Sequence, residues 1–140
     1  MKLFPFISSV YALVLLRIAV ALIMMAHGMM RLIVNSLSGF GEFLTSKGFP
    51  LGEPFAWGIT IFELAGGILL IIGLYSRWIA LILIIELITG IVLVHAKNGW
   101  FVVGHQSGGM EYSVLLIICL IEISAADKRS FEARSKELKS

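Results

Sequence analysis

Residues 10–34 are VYALVLLRIAVALIMMAHGMMRLIV, a run in which Arg17, His27 and Arg31 are the strongly polar side chains. An α-helix needs about 20 predominantly apolar residues to cross a bilayer core, so the run predicts a membrane-spanning helix. At 100° per residue, the three polar side chains fall within an arc of about 80° and share one face. Because lipid accepts charge only at a high cost, we expect other helices to cover that face.

Three further apolar stretches follow, at residues 55–75, 78–96 and 111–126, the last being the shortest. Hydrophobic residues make up 59% of the 140-residue chain and charged residues 14%, far from the average of soluble domains. Leu, Ile and Val follow one another without the alternation of barrel strands. The sequence therefore predicts an all-α polytopic membrane protein, with a four-helix membrane domain over residues 1–126 and a charged tail at 127–140.

The connection after the first span contains Leu37, Phe40 and Leu44 at helical spacing. This spacing predicts a short amphipathic helix on the membrane interface, ended by Gly48 and Pro50. A simple connector remains the alternative, since only three positions match.

Four spans place both termini on one side of the membrane, together with the turn between the second and third spans. Basic residues in short loops and near span ends favour the cytoplasmic side. We therefore expect a multi-pass protein with its N- and C-termini in the cytoplasm. The predicted inner side carries Lys2, Arg77, Lys128, Arg129, Arg134, Lys136 and Lys139, and the outer side carries Arg31, Lys47 and Lys97.

The predicted topology sorts the titratable groups of the spans into two layers. An inner layer is a candidate charge cluster, and Arg17 could form a purely structural ion pair there. An outer layer is a candidate pocket or proton relay, in which His27 pairs with Glu63, either as a functional pair or as a structural hydrogen bond. The inner layer comprises Arg17, Glu86 and Glu122, and the outer layer comprises His27, Glu63, His95, Glu111 and Tyr112.

Glu86 and His95 are nine residues apart and would lie on nearly opposite faces of a straight helix. A single site containing both needs either a bend at Gly90 or a position for His95 at the membrane edge, where it serves the following loop.

Several chemistries find no support in the sequence. There is no phosphate-binding loop, dinucleotide fingerprint or zinc-ligand spacing, so we expect no metal site and no nucleic-acid partner. The lone cysteine, Cys119, forms no internal disulfide and no C-x-x-C pair. His27 and His95 could hold a haem iron axially, but no attachment motif is present and we do not favour haem.

A series of short elements, spread from Arg17 to Asp127, resembles the DoxX family of small four-helix bacterial membrane proteins. Their order and spacing carry the resemblance, because each element alone is weak. In chain order the elements are His27-Gly28, Arg31-Leu32, Gly48-Phe49-Pro50, Glu63, Gly66-Gly67, Gly73-Leu74, Arg77, His95, Asn98-Gly99-Trp100-Phe101 and Gly108-Gly109-Met110-Glu111-Tyr112.

The resemblance implies a bacterial cytoplasmic (inner) membrane protein that serves as an oxidoreductase subunit. Relatives of this kind include the membrane part of a thiosulfate:quinone oxidoreductase and a component of a complex for thiol and superoxide defence. The leading hypothesis is a quinone-associated subunit whose polar pocket opens to the outer face. Its partners would be the lipid bilayer and soluble or membrane redox proteins, with a homo-oligomer and catalysis by the chain alone left open.

Two other classes of function remain open. One is a non-catalytic carrier or binding protein for a small solute or for protons, since intramembrane carboxylates and histidines also serve proton relays. The other is a membrane anchor for soluble redox enzymes, with the charged tail as the docking element.

Overall fold

The computed structural model describes residues 7–103 and 108–137, with side chains up to residue 127. These residues form five α-helices, and a short 3₁₀ helix, His95–Asn98, follows the fourth. The all-α prediction is confirmed for this part of the chain. The helices are α1 (Ser9–Ile33), α2 (Leu37–Ser46), α3 (Gly52–Ile72), α4 (Ser76–Leu93) and α5 (Glu111–Glu137).

Among the described residues, α1, α3 and α4 are long and apolar enough to cross a membrane. The chain is therefore a polytopic membrane protein. The predicted fourth span, residues 111–126, is the first part of α5, which is not among those three helices. Because α5 continues to Glu137, the first residues of the predicted charged tail are helical as well.

The short helix predicted in the first connection is present as α2. Leu37 and Leu44 point inward and are buried together with Ala56 of α3 in a small apolar cluster. Gly41 allows this close packing, because a Cβ atom there would lie 2.8 Å from the Cα of Glu53. α2 is thus fastened to the beginning of α3.

The long helices form a ring in which α1 packs against α3 and α5, and α4 packs against α5. A sharp turn joins α3 to α4, with Gly73 in the left-handed conformation at φ 79° as the cap of α3. α3 and α4 make far fewer contacts with each other than with their other neighbours. Near the turn they do meet, where Gly66 faces Ile79. The buried core of the ring consists of Val20, Ala21, Met24, Leu70, Ile79, Ala80, Leu83, Leu116, Leu120 and Ile123.

Candidate functional site

A cavity of about 820 Å³ lies inside the ring, and all five α-helices contribute to its walls. Most of the wall consists of Phe, Leu, Ile and Val side chains. Such an apolar hollow with a few converging polar groups is the usual form of a small-molecule site. The polar lining residues are His27, Arg31, Glu63, Glu86, Thr89, His95, Tyr112 and Ser113.

The centre of the polar lining is a bidentate ion pair between α1 and α3. Arg31 Nη1 donates to Glu63 Oε2 at 2.6 Å, and Nη2 donates to Oε1 at 2.7 Å. Arg31 Nη1 also donates to the hydroxyl of Thr60 at 2.9 Å. Thr60 and Glu63 are three residues apart and therefore share one face of α3. The planar fork of the guanidinium matches the carboxylate, which fixes both its position and its orientation.

Gly28 allows α1 and α3 to approach closely enough for this pairing. A Cβ atom at Gly28 would lie 3.0 Å from Glu63 Oε2 and 3.1 Å from the carbonyl oxygen of Thr60. Small residues at the contact of two membrane helices let their backbones come together in this way. The glycine beside His27 is thus part of the geometry of the site.

Glu86 reaches the same ion pair from α4, because its carboxyl group hydrogen-bonds to that of Glu63. An ionised carboxylate only accepts hydrogen bonds, so a contact between two carboxyl groups requires a proton on one of them. Arg31 faces the carboxyl groups of both Glu63 and Glu86 with its positive charge. In the cluster of Arg31, Glu63 and Glu86, which we call the carboxyl cluster, the two carboxyl groups can therefore share one proton.

His27 lines the cavity, but among the described residues it is not the hydrogen-bond partner of Glu63. The sequence predicts a His27–Glu63 pair, whereas the structure pairs Glu63 with Arg31 and Glu86. The reason is reach and charge: Arg31 lies one turn further along the same face of α1 and always carries its charge. The imidazole of His27 is left exposed to the cavity.

His95 also lines the cavity. α4 ends at Leu93, and His95 begins the 3₁₀ helix that follows. The two residues therefore do not share one straight helix, and His95 is not forced onto the face opposite Glu86. His95 Nδ1 donates to the carbonyl oxygen of Gly108 at 2.8 Å, since a carbonyl group only accepts. Asn98 donates to the same oxygen at 3.3 Å. Of the two positions the sequence left open, His95 takes the one that serves the following loop.

Tyr112 and Glu111, at the start of α5, have different positions. Tyr112 lines the cavity, whereas Glu111 is not among the lining residues. Glu111 Oε1 accepts a hydrogen bond from the backbone N–H of Val102 at 2.9 Å. Glu111 thus holds the connection between α4 and α5 and takes no direct part in the cavity.

The three residues of the predicted inner cluster do not come together at one place. Arg17 Nη2 donates to the carbonyl oxygen of Ile71 at 3.4 Å, where the C-terminal carbonyl groups of α3 attract a cation. Glu122 lines a second, smaller hollow formed by α1 and α5. Glu86 belongs to the carboxyl cluster instead, because α4 presents it to α3 and not to the inner half of α1.

Arg31 and Thr60 are the site residues that sequence reasoning missed. Arg31 was visible on the same face as His27, but its place at the end of the span suggested an interfacial charge. Thr60 carried a weaker signal, a hydroxyl three residues before a carboxylate on an apolar helix.

No curated protein and no solved structure matches the chain. The family model described as DoxX matches residues 12–96, which is more than half of the chain. The matched segment includes Arg31, Thr60, Glu63 and Glu86 and ends just after His95, before α5. This chain belongs to the DoxX family.

Proposed function

We propose that this chain is a membrane subunit of an oxidoreductase system and that its cavity binds a quinone. The observation that carries the proposal is the carboxyl cluster in a cavity whose walls are otherwise mostly apolar. A quinone has the matching polarity, with a ring that buries apolar surface and carbonyl oxygens that accept hydrogen bonds.

The residues present fit such a ligand. The volume of about 820 Å³ lies within the roughly 300–1,000 Å³ of sites for small organic ligands. Glu86 lines the cavity from α4, while Arg31 holds Glu63 in place. In this arrangement, the protonated carboxyl group donates to a quinone carbonyl, and the exposed imidazole of His27 lines the same cavity from α1.

A quinone supplies two-electron chemistry that also takes up two protons. In our proposal the chain transfers the protons. The Glu63–Glu86 pair holds a proton next to the polar head of the ligand, and His27 and Tyr112 pass protons along the cavity. The electrons come from a partner redox protein. The subunit is oriented with both termini in the cytoplasm of a bacterial cell and with the cavity in the outer half of the membrane.

A second candidate function is a carrier of protons or of a small solute. The hydrogen-bonded Glu63–Glu86 pair favours it, because ionisable pairs inside membranes mark proton pathways. The two candidates differ in a measurable way, since only the first requires a bound quinone.

The test is a binding experiment on protein purified in nanodiscs of native lipid. Mass spectrometry of the extracted lipids measures co-purified quinone, and titration with a short-chain benzoquinone measures affinity. We expect stoichiometric quinone in the unmodified protein and at least tenfold weaker binding in Glu86→Leu, about 1.4 kcal/mol. Glu86→Gln keeps a donor at the same place and should retain most of the affinity.

The matched control is Glu42→Gln on α2, since Glu42 is exposed and does not line the cavity. Its quinone affinity should equal that of the unmodified protein. Absence of quinone from the extract, together with no saturable binding of the benzoquinone, would contradict the proposal.

A further inference from the structure

The apolar packing between α3 and α4 lies near the turn that joins them. Gly66 and Ile79 meet close to the turn, and Leu70, Ala80 and Leu83 complete the core there. Beyond this point both helices line the cavity. Among the contacts that close the ring, the one between α3 and α4 is the sparsest, and we call the line along which these two helices face each other the α3–α4 seam.

Apolar side chains form the border of this seam. Phe55 on α3, with Ile82 and Ile85 on α4, are 45%, 47% and 57% exposed, and all three line the cavity. An apolar rim of this kind is unfavourable beside water and ordinary beside lipid. The polarity of the seam therefore matches an opening into the bilayer.

Two glycines stand on the walls of the cavity, one on each helix of the seam. Gly58 on α3 and Gly90 on α4 both line it, and a Cβ atom added at either one would meet nothing within 4 Å. A glycine inside a helix costs about 1 kcal/mol relative to alanine. Neither glycine is needed for close packing of helices. Each instead leaves space in the cavity that a side chain at its position would occupy.

The helix α2 contributes apolar and aromatic side chains to the cavity. Phe40, Phe43 and Leu44 of α2 line it, and α2 is fastened to α3 through the Gly41 contact. A ligand that approached past α2 would meet this apolar layer, which favours a lipid-soluble ligand.

We propose that the ligand enters sideways from the bilayer through the α3–α4 seam, between Gly58 and Gly90. The ligand is then a lipid-soluble molecule whose polar head reaches the carboxyl cluster while its hydrocarbon tail stays in the seam. This inference rests on the proposed function in that the cavity holds a ligand, and it adds the route of entry and the tailed ligand class.

The test narrows the seam by Gly58→Leu and Gly90→Leu, singly and together. Binding is followed in nanodiscs with two probes: a long-tailed isoprenoid quinone supplied in the lipid and a tailless, water-soluble benzoquinone. We expect the double variant to slow association of the tailed quinone at least tenfold and that of the tailless probe less than threefold. The control is Gly39→Leu, an exposed position on α2 with open space around it and outside the cavity.

The outcomes separate the two proposals. If the unmodified protein binds neither quinone, the proposed function fails. If it binds both and the leucine variants take up the tailed quinone at the unmodified rate, only the seam entry is overturned. Equal slowing of both probes also overturns it, since the narrowed path would then serve ligands from water.

A second measurement tests the seam without any quinone. A nitroxide label at Ile85→Cys, in a Cys119→Ser background, is examined by electron paramagnetic resonance. We expect relaxation by lipid-soluble oxygen to exceed relaxation by a water-soluble nickel complex severalfold. The opposite order would mean that the seam faces water and would overturn entry from the bilayer, even if the glycine variants fail to fold.

Discussion

Arg31 and Glu63 form an ion pair in which both the free energy lost by desolvation and the free energy gained by pairing are large. Glu63 is buried, and Arg31 is mostly covered. Removing such charges from water or from the headgroup region is expensive, and only good geometry offsets the cost. Here two short parallel hydrogen bonds, together with Thr60, supply that geometry. The stacking of Arg31 over the ring of Phe40, at 4.8 Å from its centroid, also ties the pair to α2.

Replacing one partner of this pair should harm the protein more than replacing both. Arg31→Met leaves Glu63 as a buried carboxylate without its cation, so we expect a loss of about 3–5 kcal/mol in unfolding free energy. The Arg31→Met/Glu63→Met double variant removes both charges and should recover a large part of that loss. Thermal unfolding in detergent micelles measures the difference.

Arg77→Met provides the matched control for the ion-pair variants. Arg77 is exposed and contacts the ring of exposed Trp78 at 5.5 Å, an interaction worth about 0.5–1 kcal/mol. We expect a small change in melting temperature. A double variant less stable than Arg31→Met would mean that the two residues do not stabilise the fold as a pair.

At the scale of elements, α2 depends on the absence of side chains where it crosses α3. A Cβ atom on Gly41 would lie too close to backbone atoms of Glu53. A Cβ atom on Gly52 would overlap atoms of Gly41 and Thr45. Backbone cannot move aside as a flexible side chain can, so the two helices would have to separate. Phe40 and Phe43, which α2 contributes to the cavity, would then move away together with α2.

Two glycines on α2 should therefore respond to alanine with opposite signs. Gly41→Ala pushes against Glu53 and should destabilise the protein by about 1–3 kcal/mol. Gly39→Ala meets no neighbouring atom and should be neutral or stabilising by up to about 1 kcal/mol, because alanine favours the helix. Thermal unfolding of the two variants side by side checks the prediction. The same sign for both would show that the crossing does not limit the packing of α2.

For the whole molecule, the contacts of the described residues place the beginning of α1, residues 122–126 of α5 and the α3–α4 turn at one end of the ring. Arg17, near the start of α1, reaches Ile71 at the end of α3. Ile7 and Ser9 share a hollow with Glu122 and Ala126. Arg77 therefore lies at the same end as the start of the basic C-terminal segment, the arrangement on which the proposed orientation rests.

This orientation predicts which positions react with a membrane-impermeant maleimide in intact cells. In a Cys119→Ser background, Ser38→Cys, at an exposed position of α2, should be labelled from outside. Arg77→Cys should be labelled only after the membrane is made permeable, because the proposed orientation places it on the cytoplasmic side. The reverse pattern would show that the termini face outward, and labelling at both positions in intact cells would show a mixed topology.

The helical class, the short helix in the first connection and the DoxX resemblance could all be predicted from the amino-acid sequence. These features are local or depend on order along the chain. An apolar run of the right length must become a helix in a membrane, since its backbone finds no other hydrogen-bond partners there. Leu37 and Leu44 likewise fix the face of α2 that turns inward. Four of the eight polar residues that line the cavity were also predicted as pocket residues, namely His27, Glu63, His95 and Tyr112.

Which of these groups meet depends on how the helices pack against one another, and the sequence did not reveal it. Glu63 could have paired with His27 or with Arg31, which lie on one face of α1, and Glu86 could have turned toward Arg17 or toward Glu63. The choice depends on how closely α1 approaches α3 at Gly28 and on how α4 leaves the turn after Gly73. Such contacts join residues that are far apart in the chain. If one helix slid along its axis by a single turn relative to its neighbour, each of these side chains would meet a different partner.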